Sequence, residues 1–257
     1  MGKTGDMTQT ILITGASSGL GAEMARQFAD LGHDLGLCAR RTDRLEELRT
    51  EILQRHPDRR IEVRALDVTD HDAVFTVFRD LAATFGRVDR VVVNAGRGKG
   101  AALGTGRFDD NRDTAATNFV GALAQVEAAM EVFRAQRGGH LVAVSSMSAL
   151  RGMPKSMTTY AATKAGLAHL VEGLRTEFYG KPGYDFTVLY PGYIASEMNA
   201  GVTAAENKMM VPTEKGVAAM VAAIEKKRAS ACVPALPWAP LSILMKHAPL
   251  PVFRKII

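Results

Sequence analysis

The chain has 257 residues, 47% apolar and 23% charged, a composition that suits a soluble globular α/β protein able to bury a sizeable core. Two cysteines, Cys38 and Cys232, and six histidines without ligand spacing predict neither a disulfide framework nor a metal site. The net charge of +5 is local: Lys226, Lys227, Arg228, Lys246, Arg254 and Lys255 follow Glu225 with no acid after it, leaving the preceding residues at −1, so a nucleic-acid-binding domain is not expected.

The polar N-terminus lacks the apolar core of a secretory signal, and no apolar run approaches the roughly eighteen residues of a membrane span. With the sparse cysteines, this predicts a cytoplasmic protein.

In chain order, Thr10–Thr14 reads as a buried strand. A glycine turn, Thr14-Gly-Ala-Ser-Ser-Gly-Leu-Gly21, follows it, and then a helix from about Leu20 to Leu31. Asp34–Ala39 is a second strand and Thr42–Arg55 a charged amphipathic helix. Ile61–Leu66 is a third strand, after which Thr69 is expected to cap a helix reaching Phe85. Arg90–Val93 is the fourth strand, and Phe108–Gln136 supports one long helix closed by Gly138 and Gly139. His140–Ser145, Phe186–Tyr190 and Ala231–Val233 are further strands, alternating with helices over Ser156–Tyr179 and Thr213–Arg228. The strands are continuous apolar runs, as in parallel strands covered on both faces. The expected fold is a Rossmann-type doubly wound parallel sheet of about seven strands, one domain over residues 1–257 with an apolar, basic extension at 232–257.

Gly15, Gly19 and Gly21 follow a strand and open a helix. Close backbone approach to a pyrophosphate requires residues without Cβ, and the helix N-terminus supplies amide donors. The second strand ends at Arg40 and Arg41, about where an NAD-binding chain carries an acid for the ribose hydroxyls. A guanidinium there suits a 2′-phosphate, so NADP(H) is expected in preference to NAD(H); the competing reading makes both arginines the start of a solvated helix. Tyr160 and Lys164 stand four apart in a predicted helix, hence on one face. An ammonium beside a phenol is expected to pull its pKa down from about 10.

Together these residues resemble the short-chain dehydrogenase/reductase superfamily in its single-domain branch. The turn is similar to the family's TGxxxGxG, with Ser17, Ser18 and Leu20 inside it. Asp67-Val68 resembles the pair that meets the adenine ring, Asn94-Ala95-Gly96 the family's NNAG with Val93 in place of its first Asn, and Pro191-Gly192 the turn beside the nicotinamide. Ile194 and Ser196 follow that turn, Ser196 standing where the family has Thr. The resemblance implies a catalytic tetrad of Asn118, Ser146, Tyr160 and Lys164. Ser146 lies fourteen residues before Tyr160 where the family has thirteen, leaving Ser145 and Ser148 as competitors. By the same resemblance Ser146 and Tyr160 polarise a carbonyl, Tyr160 acts as general acid or base, and Lys164 holds the ribose. Asn118 anchors a relay water, and the chain assembles as a homodimer or homotetramer.

The expected activity is NADP(H)-dependent interconversion of a carbonyl and an alcohol. Alternatives are reduction of 3-oxoacyl thioesters and non-catalytic sensing of the NADP redox state. Met147, Met153, Met157, Met198, Met209 and Met210 fall in the two segments expected to line the substrate pocket, which weakly favours a lipophilic substrate. The segment from Cys232 to Ile257 mixes apolar and basic residues with five prolines, so only short helices such as Leu241–Ala248 are expected. It is read as packing over the pocket or a subunit interface, resting on an anionic membrane, or meeting an acidic partner.

Overall fold

Runs of β-branched and aliphatic residues form seven parallel strands in the computed structural model, which describes residues 8–197 and 209–255. The strands are β1 (Thr10–Thr14), β2 (Asp34–Ala39), β3 (Ile61–Ala65), β4 (Arg90–Val93), β5 (Gly139–Val144), β6 (Tyr184–Pro191) and β7 (Ser230–Val233). Their order across the sheet is β3-β2-β1-β4-β5-β6-β7, every neighbouring pair parallel. Alternate residues of each strand feed two separate cores. Ile11, Ile13, Leu35, Leu37 and Val92 pack with α1 (Gly19–Asp30), α2 (Thr42–Arg55) and α7 (Thr213–Glu225). Leu12, Val91, Val93 and Leu141 pack against α3 (His71–Phe85), α5 (Gly121–Ala135) and α6 (Met157–Glu177) on the other face. The chain reverses its direction of travel across the sheet between β1 and β4, which opens a crevice at their carboxyl ends.

Three expectations need correction. The cap of α3 is Asp70, whose carboxylate accepts from the Ala73 amide, while Thr69 instead closes a turn onto Asp67. The long helix after β4 is interrupted: α4 (Phe108–Ala115) passes through one π turn at Ala116–Val120 before α5 begins. The C-terminal segment is more helical than its prolines suggest, forming α8 (Ala235–His247) and α9 (Leu250–Phe253). Leu236 is non-helical, so Pro240 falls in the first regular turn, where a missing N–H costs least.

At the opposite, amino end of the sheet a charged network is buried. Arg90 is 1% exposed, donates to His140 Nδ1 at 3.1 Å and to Glu225 at 2.5 Å, and lies over the Phe28 ring. Because His140 Nδ1 accepts from arginine, its Nε2 carries the proton shared with Thr187 Oγ1 at 2.8 Å. Burial, aided by the Arg90 and Lys227 charges, holds His140 well below the ordinary histidine range.

Candidate active site

Two turns meet at the crevice. Gly15 has φ +64°, and a Cβ there would come within 2.8 Å of Ala95 Cα. A Cβ on Gly21 would fall 2.4 Å from the Gly15 carbonyl oxygen and 2.7 Å from Asn94 Nδ2, so neither position accepts a side chain without movement. Asn94 holds this junction by donating through Nδ2 to the carbonyls of Thr14 and Gly15, while Thr14 Oγ1 accepts from the Asn94 and Ala95 amides. The start of α1 thus faces the crevice with Ser17 and Ser18 beside it. Ser18, the residue before the helix, makes no side-chain cap; its hydroxyl accepts from Arg41 at 2.7 Å.

The two arginines part company. Arg41 folds over the glycine turn and donates to both Ser17 and Ser18, whereas Arg40 points outward, 78% exposed and 3.9 Å from Asp67. Glu197 joins Arg41 to Arg44, an arrangement that sequence reasoning missed; Arg44 lies one helical turn beyond Arg41, the only local hint. Both guanidinium groups hold the Glu197 carboxylate below its ordinary range, Arg44 foremost. Asp67 is lowered chiefly by the Thr69 amide, and Val68 is buried beneath Gly121.

Gly96 lies between two expected catalytic side chains: a Cβ there would stand 3.3 Å from Lys164 Nζ and 3.4 Å from Asn118 Oδ1. Asn118 is fully buried in the π turn, and its carboxamide is committed to Arg97, accepting from its amide at 2.7 Å and donating to its carbonyl at 2.9 Å. Lys164 is buried and donates to the Val144 carbonyl at 2.9 Å; burial alone brings its ammonium down to about 8.

The three serines separate cleanly. Ser145 turns into α6 and donates to the Lys164 carbonyl, Ser148 donates to Ser146, and Ser146 is the group near Tyr160 that favours its phenolate. Tyr160 keeps part of its surface open to the crevice, yet crowding around it raises the phenol above its ordinary value, with the Ser146 contact pulling the other way. The expected lowering by Lys164 is not seen: its ammonium stands 6.0 Å from the centre of the ring and does not offset the loss of hydration.

The wall beyond Ser146 is apolar. Met147, Trp238, Met245, Ala248 and Phe253 form a small core of their own, with Met153, Tyr190 and Leu241 against it. Trp238 covers the Pro191-Gly192 turn so closely that a Cβ on Gly192 would lie 2.0 Å from its indole. Arg151 latches the tail, donating to the carbonyls of Met245 and Ala248 and stacking on Phe253. Ile194 is buried and bridges to Val211, and Ser196 lies against Gly19. Of the expected pocket methionines, Met198 lies outside the described residues. A groove of about 610 Å³ between Leu103, Phe108 and Val120 contains neither Ser146 nor Lys164, so it is not this site.

The short chain dehydrogenase family model matches residues 9–207, and the chain belongs to that family. It is 52% identical, over 98% of both chains, to an uncharacterized oxidoreductase of Mycobacterium tuberculosis. It is 36% identical to 11-beta-hydroxysteroid dehydrogenase 1A of Arabidopsis thaliana, over 75% of this chain and 54% of that protein. Among solved structures, a short-chain dehydrogenase from Sphingobium yanoikuyae in complex with NADPH superposes with a TM-score of 0.80, at 26% identity over 92% of each chain. The protein is therefore an oxidoreductase of the short-chain dehydrogenase family, with a single-domain Rossmann-type fold.

Proposed function

We propose that the chain interconverts a carbonyl and a primary or secondary alcohol with NADP(H), Tyr160 serving as general acid in reduction and general base in oxidation. The observation that carries this reading is the convergence of Ser146, Tyr160 and a buried Lys164, without a carboxylate partner among the described residues, at the carboxyl end of the sheet. The crevice suits a dinucleotide. The glycine turn leaves no room for a Cβ, α1 presents its N-terminus, and Arg41 sits over two serine hydroxyls where a 2′-phosphate needs donors. When bound, the nicotinamide supplies or takes the hydride.

This chain's residues do the rest. The Ser146 and Tyr160 hydroxyls donate to the carbonyl oxygen as negative charge grows there, and Tyr160 yields its proton to it. Lys164 has three donors, one taken by Val144, and the others are free for ribose hydroxyls. A phenol raised by burial becomes a usable base only once positive charge joins the site, so oxidation depends on the assembled complex. The Met147–Trp238–Met245 wall favours a lipophilic carbonyl over a polar one.

Loss of NADPH absorbance is followed against aldehydes, ketones, a quinone and a β-ketoacyl thioester, with Tyr160→Phe as the blank. Turnover by the wild type alone is expected, and equal rates from both would remove Tyr160 from the chemistry. For the cofactor, Arg41→Ala is expected to weaken NADPH binding about tenfold, measured by fluorescence, and NADH binding little. Equal weakening of both would argue against a 2′-phosphate role.

A further inference from the structure

The C-terminal helices have two apolar faces. In α8, Trp238, Leu241 and Met245 recur at helical spacing and pack inward, with Ala248 just beyond its end buried beside them. The opposite side carries Leu236, Pro240, Ile243 and Leu244, with Leu236 76% and Ile243 64% exposed. In α9, Phe253 is buried while Leu250 and Val252 face outward. A helix turned only towards its own domain has a polar outer face, and this one does not. Apart from Leu103, Phe108 and Val120 around their own groove, the exposed large hydrophobic residues of the described chain are scattered, but five crowd into residues 236–252.

The charges among them have one sign. Lys246, Arg254 and Lys255 are exposed, His247 lies beside Lys246, and no Asp or Glu occurs anywhere after Glu225. This decides between occupants. A second copy meeting this surface about a two-fold axis would set patch against patch, gathering cations of one sign with no carboxylate from the segment to answer them. An anionic lipid surface answers both properties together, taking the leucines and isoleucine below the headgroups and the cations at their level. No described helix is long and apolar enough to cross a membrane, so the contact is peripheral.

We infer that α8 and α9 dock the protein onto anionic lipid surfaces through Leu236, Ile243, Leu244, Leu250 and Val252, with Lys246, Arg254 and Lys255 at the headgroups. The inward faces of the same helices cover the loop after Ser146, so the docked protein presents that wall to the bilayer side.

The test is co-sedimentation of the full chain with phosphatidylcholine vesicles, with and without phosphatidylglycerol. Binding that requires phosphatidylglycerol and weakens at high salt is expected. Replacing Lys246, Arg254 and Lys255 by Gln together is expected to lower vesicle affinity roughly a hundredfold. Ile243→Asp with Leu244→Asp is expected to lower it about tenfold or more. All five positions are exposed, and an unchanged melting temperature certifies that each variant is folded. Failure of the wild type to sediment at any composition overturns the proposal. So does binding that both sets of variants retain. Light scattering that shows a dimer lost in the Asp variant, without vesicle binding, overturns it in favour of a second copy.

Discussion

The two ends of one sheet bury charge in opposite ways. At the amino end Arg90 has a carboxylate, an imidazole and an aromatic face, and His140 passes its remaining proton to Thr187. At the carboxyl end Lys164 has one carbonyl, and Tyr160 has a serine. A charge buried with its partners adds to the folded framework, or at least costs little. One buried without them is held at the expense of stability, and its shifted proton is then available for chemistry. Burial alone does not separate the two cases; the partner set does.

The comparison breaks first at the carboxyl end. Tyr160→Phe is expected to reduce turnover about a thousandfold, with the Kd for NADPH within a factor of about two. Loss of cofactor binding in step with turnover would make Tyr160 a binding group instead. At the amino end Glu225→Ala leaves Arg90 buried beside a neutral imidazole. It is expected to cost about 3 kcal/mol in urea melts, the low end for a broken buried pair because water reaches Glu225. A loss below about 1 kcal/mol would show that Arg90 needs only His140 and Phe28.

Lys164 sharpens the contrast through pH. Its folded pKa, about 8, lies below its unfolded value of 10.5, so the unfolded chain binds the extra proton between those limits. The burden is therefore complete below about pH 8 and is relieved as pH rises to 10.5. The stability of wild type relative to Lys164→Met should climb by about 3 kcal/mol across that window. A flat difference would mean that the ammonium is already compensated. Cys38, whose buried thiol is pushed up to about 12, is common to both proteins and cancels. The smallest effect is at His140, also depressed. The unfolded chain takes up the proton first, so stability falls as pH drops through the histidine range, by at most about 1.4 kcal/mol per unit. His140→Gln should flatten that acid limb; an unchanged limb would place it elsewhere.

Much of this architecture was legible because its signals are local. Continuous apolar strands, the helices between them and the glycine turn follow from periodicity and backbone sterics, and β1, β2, β4 and α2 have the residues expected. What escaped depends on register or on distant partners. Thr69 and Asp70 are both good caps, and only the path of the chain decides that Asp70 serves. A π turn leaves no pattern in Ala116–Val120, yet it places Asn118 inside the protein. Arg40 and Arg41 are chemically alike, and only the path of the chain from the end of β2 into α2 turns one outward and the other over Ser18. Among Ser145, Ser146 and Ser148, counting back from Tyr160 leaves a choice, and only the folded chain shows that Ser145 is committed to the Lys164 carbonyl while Ser148 donates to Ser146. Arg151 could not have been linked to α8 at all, since its partners are main-chain carbonyls over ninety residues away.

Trp238 is the single tryptophan of the chain, and it rests on Gly192, with its buried Nε1 lacking a hydrogen-bond partner among the described residues. The molecule therefore carries one built-in optical reporter, placed where the last turn of β6 meets the C-terminal helices. Its emission belongs to no other part of the protein, so a red shift on heating signals the undocking of that joint while circular dichroism follows the sheet. If the red shift comes first, the tail is a separately melting unit; if the two coincide, it is part of the same cooperative structure.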